Sequence, residues 1–372
     1  MNTMDNTPGV LMLDLGMVLR GGQRQVLYLA QYLADQSCFQ PILACPQGSA
    51  LEHAALHAGL RVLPLASRSC ADPRLWWTLG VQLARDPSVQ IIHTHDAHAA
   101  LVGACLKKVW PRVLLVHSRR VSYPARRGLR GWKYRMADAA VGVSQEIAEQ
   151  LVAAGVPRER VTAIHSGIDP TTYTPHIPRA TGAPFRFLTI GALTHQKGFD
   201  VLVEAAGQLA LDTTLPAWTL QIVGSGQLQS ELYEQARKVG LLDGSIPHLT
   251  MPGRLESRAV LPHSDAVLVP STSGEGSSAT IKEAWATGVP LIASDLASNK
   301  ELVQDGFNGL LAKTGNPEAL ANCMRRCLTD STLVTQLVDG GRTTLPGFTH
   351  TRMASSYQNL YTTLINHAHS LQ

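Results

Sequence analysis

The sequence predicts an α/β protein built from two parallel-sheet domains, and three observations carry that prediction. Short apolar runs alternate with longer amphipathic stretches through most of the chain, the pattern of parallel strands joined by crossover helices. At 372 residues the chain exceeds one ordinary core, and about 150 residues per domain gives roughly two. Between the two strand series lies SGIDPTTYTPHIPRATGAP, Ser166 to Pro184, rich in Pro, Gly and Thr and without an apolar period, whose later part reads as a linker.

In the first half, strands are expected near Val10 to Leu15, Pro41 to Ala44, Val62 to Leu65, Ile91 to His93, Val113 to Val116, Ala140 to Val143 and Val161 to Ile164. Helices follow most of them, including Gln23 to Ala34 and Ser144 to Ala154, the latter opening on a Ser144 cap. A second series runs through Phe185 to Ile190, Thr219 to Val223, His248 to Met251, Ala266 to Val269, Pro290 to Ala293 and Gly309 to Leu311. From Thr351 to Leu371 the spacing is helical, with Met353, Tyr357, Leu360, Tyr361 and Leu364 on one face. The domains are therefore drawn at 1–178 and 179–350, with 351–372 a closing helix that can cross back to the first domain.

Composition bounds the rest. With 45% hydrophobic and 16% charged residues the chain is globular, and no low-complexity tract interrupts it. The start, MNTMDNTPG, is polar and acidic, and Asp14 breaks the apolar run that follows, which is not the pattern of a signal peptide. No run of about 18 apolar residues occurs, so a soluble or peripheral protein is expected, cytoplasmic and able to sit at the inner face of a membrane. Cys38, Cys45, Cys70, Cys105, Cys323 and Cys327 read as reduced thiols, and the helical pair Cys323 and Cys327 as structural. The net charge of +4 is unevenly spread: Arg119, Arg120, Arg126, Arg127, Arg130, Lys133 and Arg135 fall together with no acidic residue among them. That stretch is either a solvated face or a surface for anionic lipid headgroups or a phosphorylated acceptor. No nucleic-acid partner is expected.

The most informative segment is EGSSATIKEAWATGVPLIAS, Glu275 to Ser294. It follows the apolar strand AVLVP and the loop STSG, so Glu275 stands where a strand's carboxyl end opens, the usual ligand position in open α/β sheets. Gly276 permits close backbone approach, and Ser277, Ser278, Ala279 and Thr280 begin a helix whose unpaired N–H groups suit an anion. With the helix starting near Ser278, Glu283 lies in its second turn and can face the same opening. A carboxylate accepts from two vicinal hydroxyls at once, so one glutamate can address a sugar and the other a ribose. Either glutamate alone can equally be a surface charge.

This string resembles the Glu-x7-Glu motif of retaining glycosyltransferases of the GT-B fold, in particular glycosyltransferase family 4, with Glu275 as its first glutamate and Glu283 as its second. The resemblance covers essentially the whole chain. It implies two Rossmann-like doubly wound domains facing across a cleft, a donor sugar on Glu275 and a nucleotide ribose on Glu283. GALTHQKGFDVLVEA, Gly191 to Ala205, is similar to the family's diphosphate loop: Gly191 ends a strand and Lys197 with Gly198 precedes a helix. The family's arginine after the glycine is replaced by Ala192, and Arg254 or His195 is the candidate to supply the missing charge.

In the first half, Gly21 and Gly22 open the helix QRQVLYLAQYLA, where a phosphate or sugar can approach the backbone, and resemble the family's N-terminal glycine loop. An ordinary turn pair is the alternative. His95 with Asp96 follows IIHT, and His117 follows VLLV. A histidine at a strand end is often structural, but His117 matches a position the family uses near sugar and acceptor, where it can orient hydroxyls or carry a proton near neutral pH. IVGSGQL has two glycines of a dinucleotide fingerprint with Gln229 in place of the third, so no NAD site is read there. No paired-aspartate DxD motif occurs, so no metal and no cofactor is expected, and leaving-group charge falls to Lys197 and helix termini. The expectation is transfer, with retention, from a nucleoside-diphosphate sugar to a glycan or lipid-linked hydroxyl, in polysaccharide or lipopolysaccharide assembly. A sugar-nucleotide epimerase or hydrolase and a non-catalytic binding module are its rivals.

Overall fold

The computed structural model describes residues 7–122, 131–243 and 248–370. The chain divides into two compact units, the first comprising Met1–Gly167 with His350–Gln372 and the second Ile168–Thr349.

In the first unit, strands β1 (Gly9–Leu13), β2 (Gln40–Pro46), β3 (Arg61–Leu65), β4 (Val89–Thr94), β5 (Leu114–Arg119), β6 (Ala139–Gly142) and β7 (Val161–Ala163) form one parallel sheet in the order β3-β2-β1-β4-β5-β6-β7. A parallel sheet must be covered on both faces, and the side-chain alternation shows how. Val10 and Met12 of β1 pack with Val26, Leu29 and Leu33 of helix Gly21–Gln36. Leu11 and Leu13 turn the other way, onto Leu75, Leu79 and Leu83 of helix Pro73–Arg85. Helix His350–Ser370 covers the same face as Gly21–Gln36, burying Met353, Ala354, Tyr357, Tyr361 and Ile365. The tail does return to the first unit.

Its buried hydroxyls complete a polar network inside that layer. Tyr361 Oη lies 2.5 Å from His93 Nδ1, His93 Nε2 lies 2.7 Å from Ser118 Oγ, and Ser118 Oγ lies 2.7 Å from Tyr357 Oη. Burial holds His93 well below the usual imidazole range and pushes both tyrosines up, so the network is neutral.

In the second unit, β8 (Phe185–Ile190), β9 (Trp218–Val223), β10 (Leu249–Gly253), β11 (Ala266–Val269), β12 (Leu291–Ser294) and β13 (Leu310–Ala312) form a parallel sheet in the order β10-β9-β8-β11-β12-β13. Phe187, Leu220 and Leu268 face helices Phe199–Ala210 and Pro317–Thr329, while Leu188, Val267 and Val269 face helix Ala279–Thr287. The unit begins at Ile168, earlier than the 178/179 division expected from composition. Ile168 and Tyr173 are buried in this core, His176 N–H donates to Thr287 O at 2.8 Å, and Ile177 N–H donates to Pro262 O at 2.7 Å. The Pro- and Thr-rich stretch is thus largely docked chain.

In both sheets the chain reverses its direction of growth once, between β1 and β4 and between β8 and β11. Loops leaving strands on either side of such a point diverge, and the crevice they leave at the carboxyl ends is where this architecture binds ligands.

Tyr361→Phe leaves buried His93 Nδ1 without its partner and is expected to lower stability by about 1–3 kcal/mol in urea or thermal unfolding; an unchanged midpoint would remove the network from the account of this core.

Candidate functional site

At the switch point of the second unit two loops meet. The loop after β8 turns through His195–Lys197 and reaches Gly198, whose φ of +64° is left-handed. A Cβ there would stand 2.1 Å from Pro270 O, so only glycine lets the turn lie this close to the end of β11. The loop after β11 is pinned against the same turn: Thr272 N–H donates to Gln196 O at 2.9 Å and Thr272 Oγ1 to His195 O at 3.1 Å.

This junction brings Lys197 and Glu275 together. Lys197 Nζ donates to Glu275 Oε1 at 2.6 Å, and Ser271 Oγ donates to the same oxygen at 2.5 Å. Glu275 is buried, whereas the Lys197 side chain keeps 26% of its exposure, leaving the cation reachable from solvent. Ser271 is itself fixed, since its carbonyl accepts from Ser294 Oγ at the end of β12. The carboxylate is therefore set by backbone geometry from three adjacent strands.

Helix Ala279–Thr287 starts just beyond Glu275 and has no side chain capping its first amides. Gly276, Ser277 and Thr280 are partly exposed, Ala279 is exposed and Ser278 buried. Glu283 is buried one turn inside, where Tyr173 Oη donates to its Oε1 at 2.8 Å. Its carboxylate is thus engaged from the docked 168–178 stretch, a partner that no local spacing announces.

Between the glutamates lies Lys282, which the motif reading passed over. It is completely buried, and its Nζ donates to Ser277 Oγ at 2.6 Å, holding the turn that starts the helix. Burial pulls its pKa down to about 7 against the opposing pull of Glu283 and Glu275. The adjacency of Lys282 to Glu283 in the sequence was the available signal, but a helical lysine ordinarily points to water.

Other expected residues are placed elsewhere. Ala192 is exposed, and so is His195, whose contribution to the junction is its carbonyl. Arg254 is exposed after β10, the edge strand. Gly191 ends β8, and a Cβ there would approach Phe199 Cζ at 3.2 Å and the Lys197 stem at 3.6 Å. Gly224 and Gly226 close the neighbouring turn onto the carbonyls of Gly191 and Leu193 and serve packing. Cys323 and Cys327 are buried free thiols in a helix core, and among the described residues no three His, Cys, Asp or Glu side chains gather as a ligand set.

In the first unit the β1/β4 switch point holds Gly21, Gly22, His95 and Asp96, with two corrections to expectation. Asp96 is not an open sugar ligand: it caps helix Ala97–Val109 by accepting from His98 and Ala99 N–H and also accepts from Leu15 N–H at 2.7 Å. His117 is not a proton carrier near neutral pH. It is buried with Thr94 Oγ1 on Nδ1, its Nε2–H donates to Lys133 O at 2.8 Å, and burial pulls its pKa to about 4. His117 lies within β5, which runs on to Arg119 beyond the expected end at Val116, and helix Trp132–Arg135 covers it. His95 is also buried, which holds it well below the usual imidazole range, and its Nδ1 lies 3.3 Å from Arg120 Nη2. Of the basic stretch, Arg126, Arg127 and Arg130 lie outside the described residues.

Comparison with known proteins bears on both units. Residues 19–172 match the model of Glycosyltransferase Family 4, and residues 184–330 that of Glycosyl transferases group 1. Among relatives, a candidate colanic acid biosynthesis glycosyltransferase, WcaL of Salmonella typhimurium, is 30% identical over half of this chain and 47% of its own length. The amylovoran biosynthesis glycosyltransferase AmsK of Erwinia amylovora is 29% identical over 48% of this chain and 44% of its own. This chain thus spans about half the length of these relatives. LpsE of Rhizobium meliloti, a lipopolysaccharide core biosynthesis glycosyltransferase, is 28% identical over 65% of this chain and 68% of its own. Among solved structures, Anabaena HepE in complex with UDP and glucose aligns with a TM-score of 0.77 at 18% identity, covering 96% of this chain and all of its own. A glycosyltransferase of Rickettsia africae aligns with a TM-score of 0.82 at 18% identity, covering 97% and 99%.

A buried lysine of lowered pKa penalises folding in its charged form; the unfolded chain binds the proton between about pH 7 and the ordinary lysine range, so stability from this group rises with pH across that window. Lys282→Met is expected to flatten that rise, read as the slope of melting temperature against pH in both proteins; parallel slopes would place the lysine in water.

Proposed function

We propose a function from the premise that the chain belongs to glycosyltransferase family 4, the GT-B glycosyl transferases of group 1: it moves a glycosyl unit, with retention and without a metal, from a nucleoside-diphosphate sugar to a hydroxyl of a glycan or lipid-linked acceptor. One observation carries this reading, the pairing of Lys197 with Glu275 beside an uncapped helix terminus at a sheet's switch point. When a donor enters, its diphosphate competes for the Lys197 ammonium, and Glu275 becomes free to accept from vicinal hydroxyls of the sugar. Lys197 and the first amides of Ala279–Thr287 then offset the charge that grows on the departing diphosphate, electrostatic stabilisation from groups already in place. Glu283 serves the ribose, and departure and attack share one face of the sugar.

The chemical class of the donor is supported by HepE, whose crystals hold UDP with glucose and UDP-glucose. The names of WcaL, AmsK and LpsE favour acceptors from surface polysaccharide or lipopolysaccharide assembly. Among the described residues no helix is long and apolar enough to cross a membrane. The basic stretch at 119–135 is proposed to bring the protein to the anionic inner face of the cytoplasmic membrane, where a lipid-linked acceptor would be presented.

Glu275→Gln and Lys197→Ala are each expected to cut transfer by more than roughly tenfold, about 1.4 kcal/mol of barrier, with the fold intact, Lys197→Ala melting lower because it leaves the buried carboxylate unpaired. Unchanged turnover in both removes the site. Donor consumed without acceptor would instead favour the hydrolase or epimerase, and nucleotide-dependent thermal stabilisation by UDP, GDP or ADP without turnover on any acceptor would favour a binding module, a reading that Ala192 supports. Reversing charge at Arg126, Arg127 and Arg130 is expected to weaken co-sedimentation with anionic vesicles; unaltered binding would count against the membrane surface.

A further inference from the structure

The second unit buries a lysine at the end of a helix that disfavours a cation. Lys282 is the fourth residue of helix Ala279–Thr287 and is completely buried. Its Nζ turns back to Ser277, the residue before the helix cap, donating to Oγ at 2.6 Å and lying 3.4 Å from the carbonyl oxygen. Pairs at these two positions are ordinarily apolar, a staple that fixes how the chain enters the helix. Here the staple is an amine on a hydroxyl. Ile281, Ala284 and Trp285 beside it belong to the core, so a methionine or leucine would fill the same place without opposing burial or the positive helix end.

The groups that bear on this lysine come from several elements. Glu283, the next residue, and Glu275 on the preceding loop favour its charged form. Each carboxylate has another donor: Lys197 and Ser271 on Glu275, and Tyr173, whose ring lies 5.4 Å from the Arg258 guanidinium, on Glu283. From the turn Leu345–Phe348, the Phe348 ring centre lies 5.8 Å from Nζ. Arg342 of helix Ser331–Thr344 stands at the opposite end of the helix, beside Gly288, and His263 of the turn Leu261–His263 is exposed. Burial outweighs both carboxylates and brings the lysine down to about 7, so its charge responds to whatever is placed at the helix start.

We infer that Lys282 is a positioning residue of the donor site: it sets Ser277 from beneath and supplies, behind the helix start, a second positive charge to a bound diphosphate. This rests on the proposed function, under which the diphosphate lies on the first amides of Ala279–Thr287 beside Lys197. A diphosphate carries more negative charge than one ammonium offsets. Lys197 shares its own with Glu275, and Ala192 on the same loop adds none. Lys282 is fully buried and so acts through Ser277, which is partly exposed. A hydroxyl that accepts from an ammonium points its own hydrogen away from it. The anion then favours the charged lysine and the charged lysine favours the anion, so binding draws a proton from solvent onto Lys282.

The test uses the full chain with UDP, GDP and ADP as probes, by titration calorimetry at about pH 8 in Tris and in HEPES, whose different heats of ionisation count the protons exchanged on binding. There a nucleoside diphosphate is already largely ionised and an exposed imidazole largely neutral, so uptake reports a group of higher pKa. The parent is expected to take up roughly half a proton per nucleotide and Lys282→Met none, with affinity at about pH 7 lower by roughly tenfold. Ser277→Ala keeps the amine and is expected to keep the uptake, losing less affinity. A lysine that serves the fold alone would lower melting temperature and affinity in Lys282→Met with no uptake by the parent. That result overturns the inference, as does equal affinity or equal uptake in parent and Lys282→Met. If none of the three nucleotides binds the parent, or Lys197→Ala binds as tightly, the donor site itself is lost and the inference with it.

Discussion

A single ion pair organises the second unit's candidate site. Glu275 is buried at the carboxyl end of β11, and a buried carboxylate without a cation costs about 3–5 kcal/mol, so Lys197 must reach it across from the loop after β8. For that reach the two loops have to touch. Gly198 is left-handed against Pro270 O, and Gln196 and His195 lend their carbonyls to Thr272. The sheet order that sets β8 beside β11 is thus a condition of the chemistry as well as of packing. A partly exposed lysine on a buried carboxylate is a pair that a ligand of matching charge can exchange into.

How much of this was legible in the residues depends on how local the signal is. The thirteen strands among the described residues lie within a few residues of the apolar runs that predict them, because the central strands of a parallel sheet are buried on both faces, while β3, β7 and β10 at the edges are more exposed. Glu275, Lys197 and the helix start were legible for the same reason, as each sits at a strand's end. Tyr173 on Glu283 was not, being 110 positions away on a stretch whose composition resembles a linker. Nor was the burial of Lys282, which depends on tertiary cover over a helix of ordinary polar spacing.

The histidines of the first unit mark the limit of reading function from position. His93, His95 and His117 lie on or just after the adjacent strands β4 and β5, and the resemblance singles out His117 among them. The structure separates them by what their nitrogens touch. His93 is satisfied by Tyr361 and Ser118 and His117 by Thr94 and Lys133, while His95 Nε2 has no hydrogen-bond partner among the described residues. A full complement of partners is a mark of scaffold, and an incomplete one is where a ligand has something to add.

The return of helix His350–Ser370 to the first unit has a consequence for biosynthesis. A chain emerging from the ribosome presents the whole seven-stranded sheet long before Met353, Tyr357 and Tyr361 are made, so the part of one face not covered by helix Gly21–Gln36 stays bare while the second unit, contiguous in sequence, can already close. The order of synthesis is therefore not the order of completion. The earlier-made half is finished last, and during that interval its uncovered apolar layer is the part of the nascent protein most in need of a chaperone.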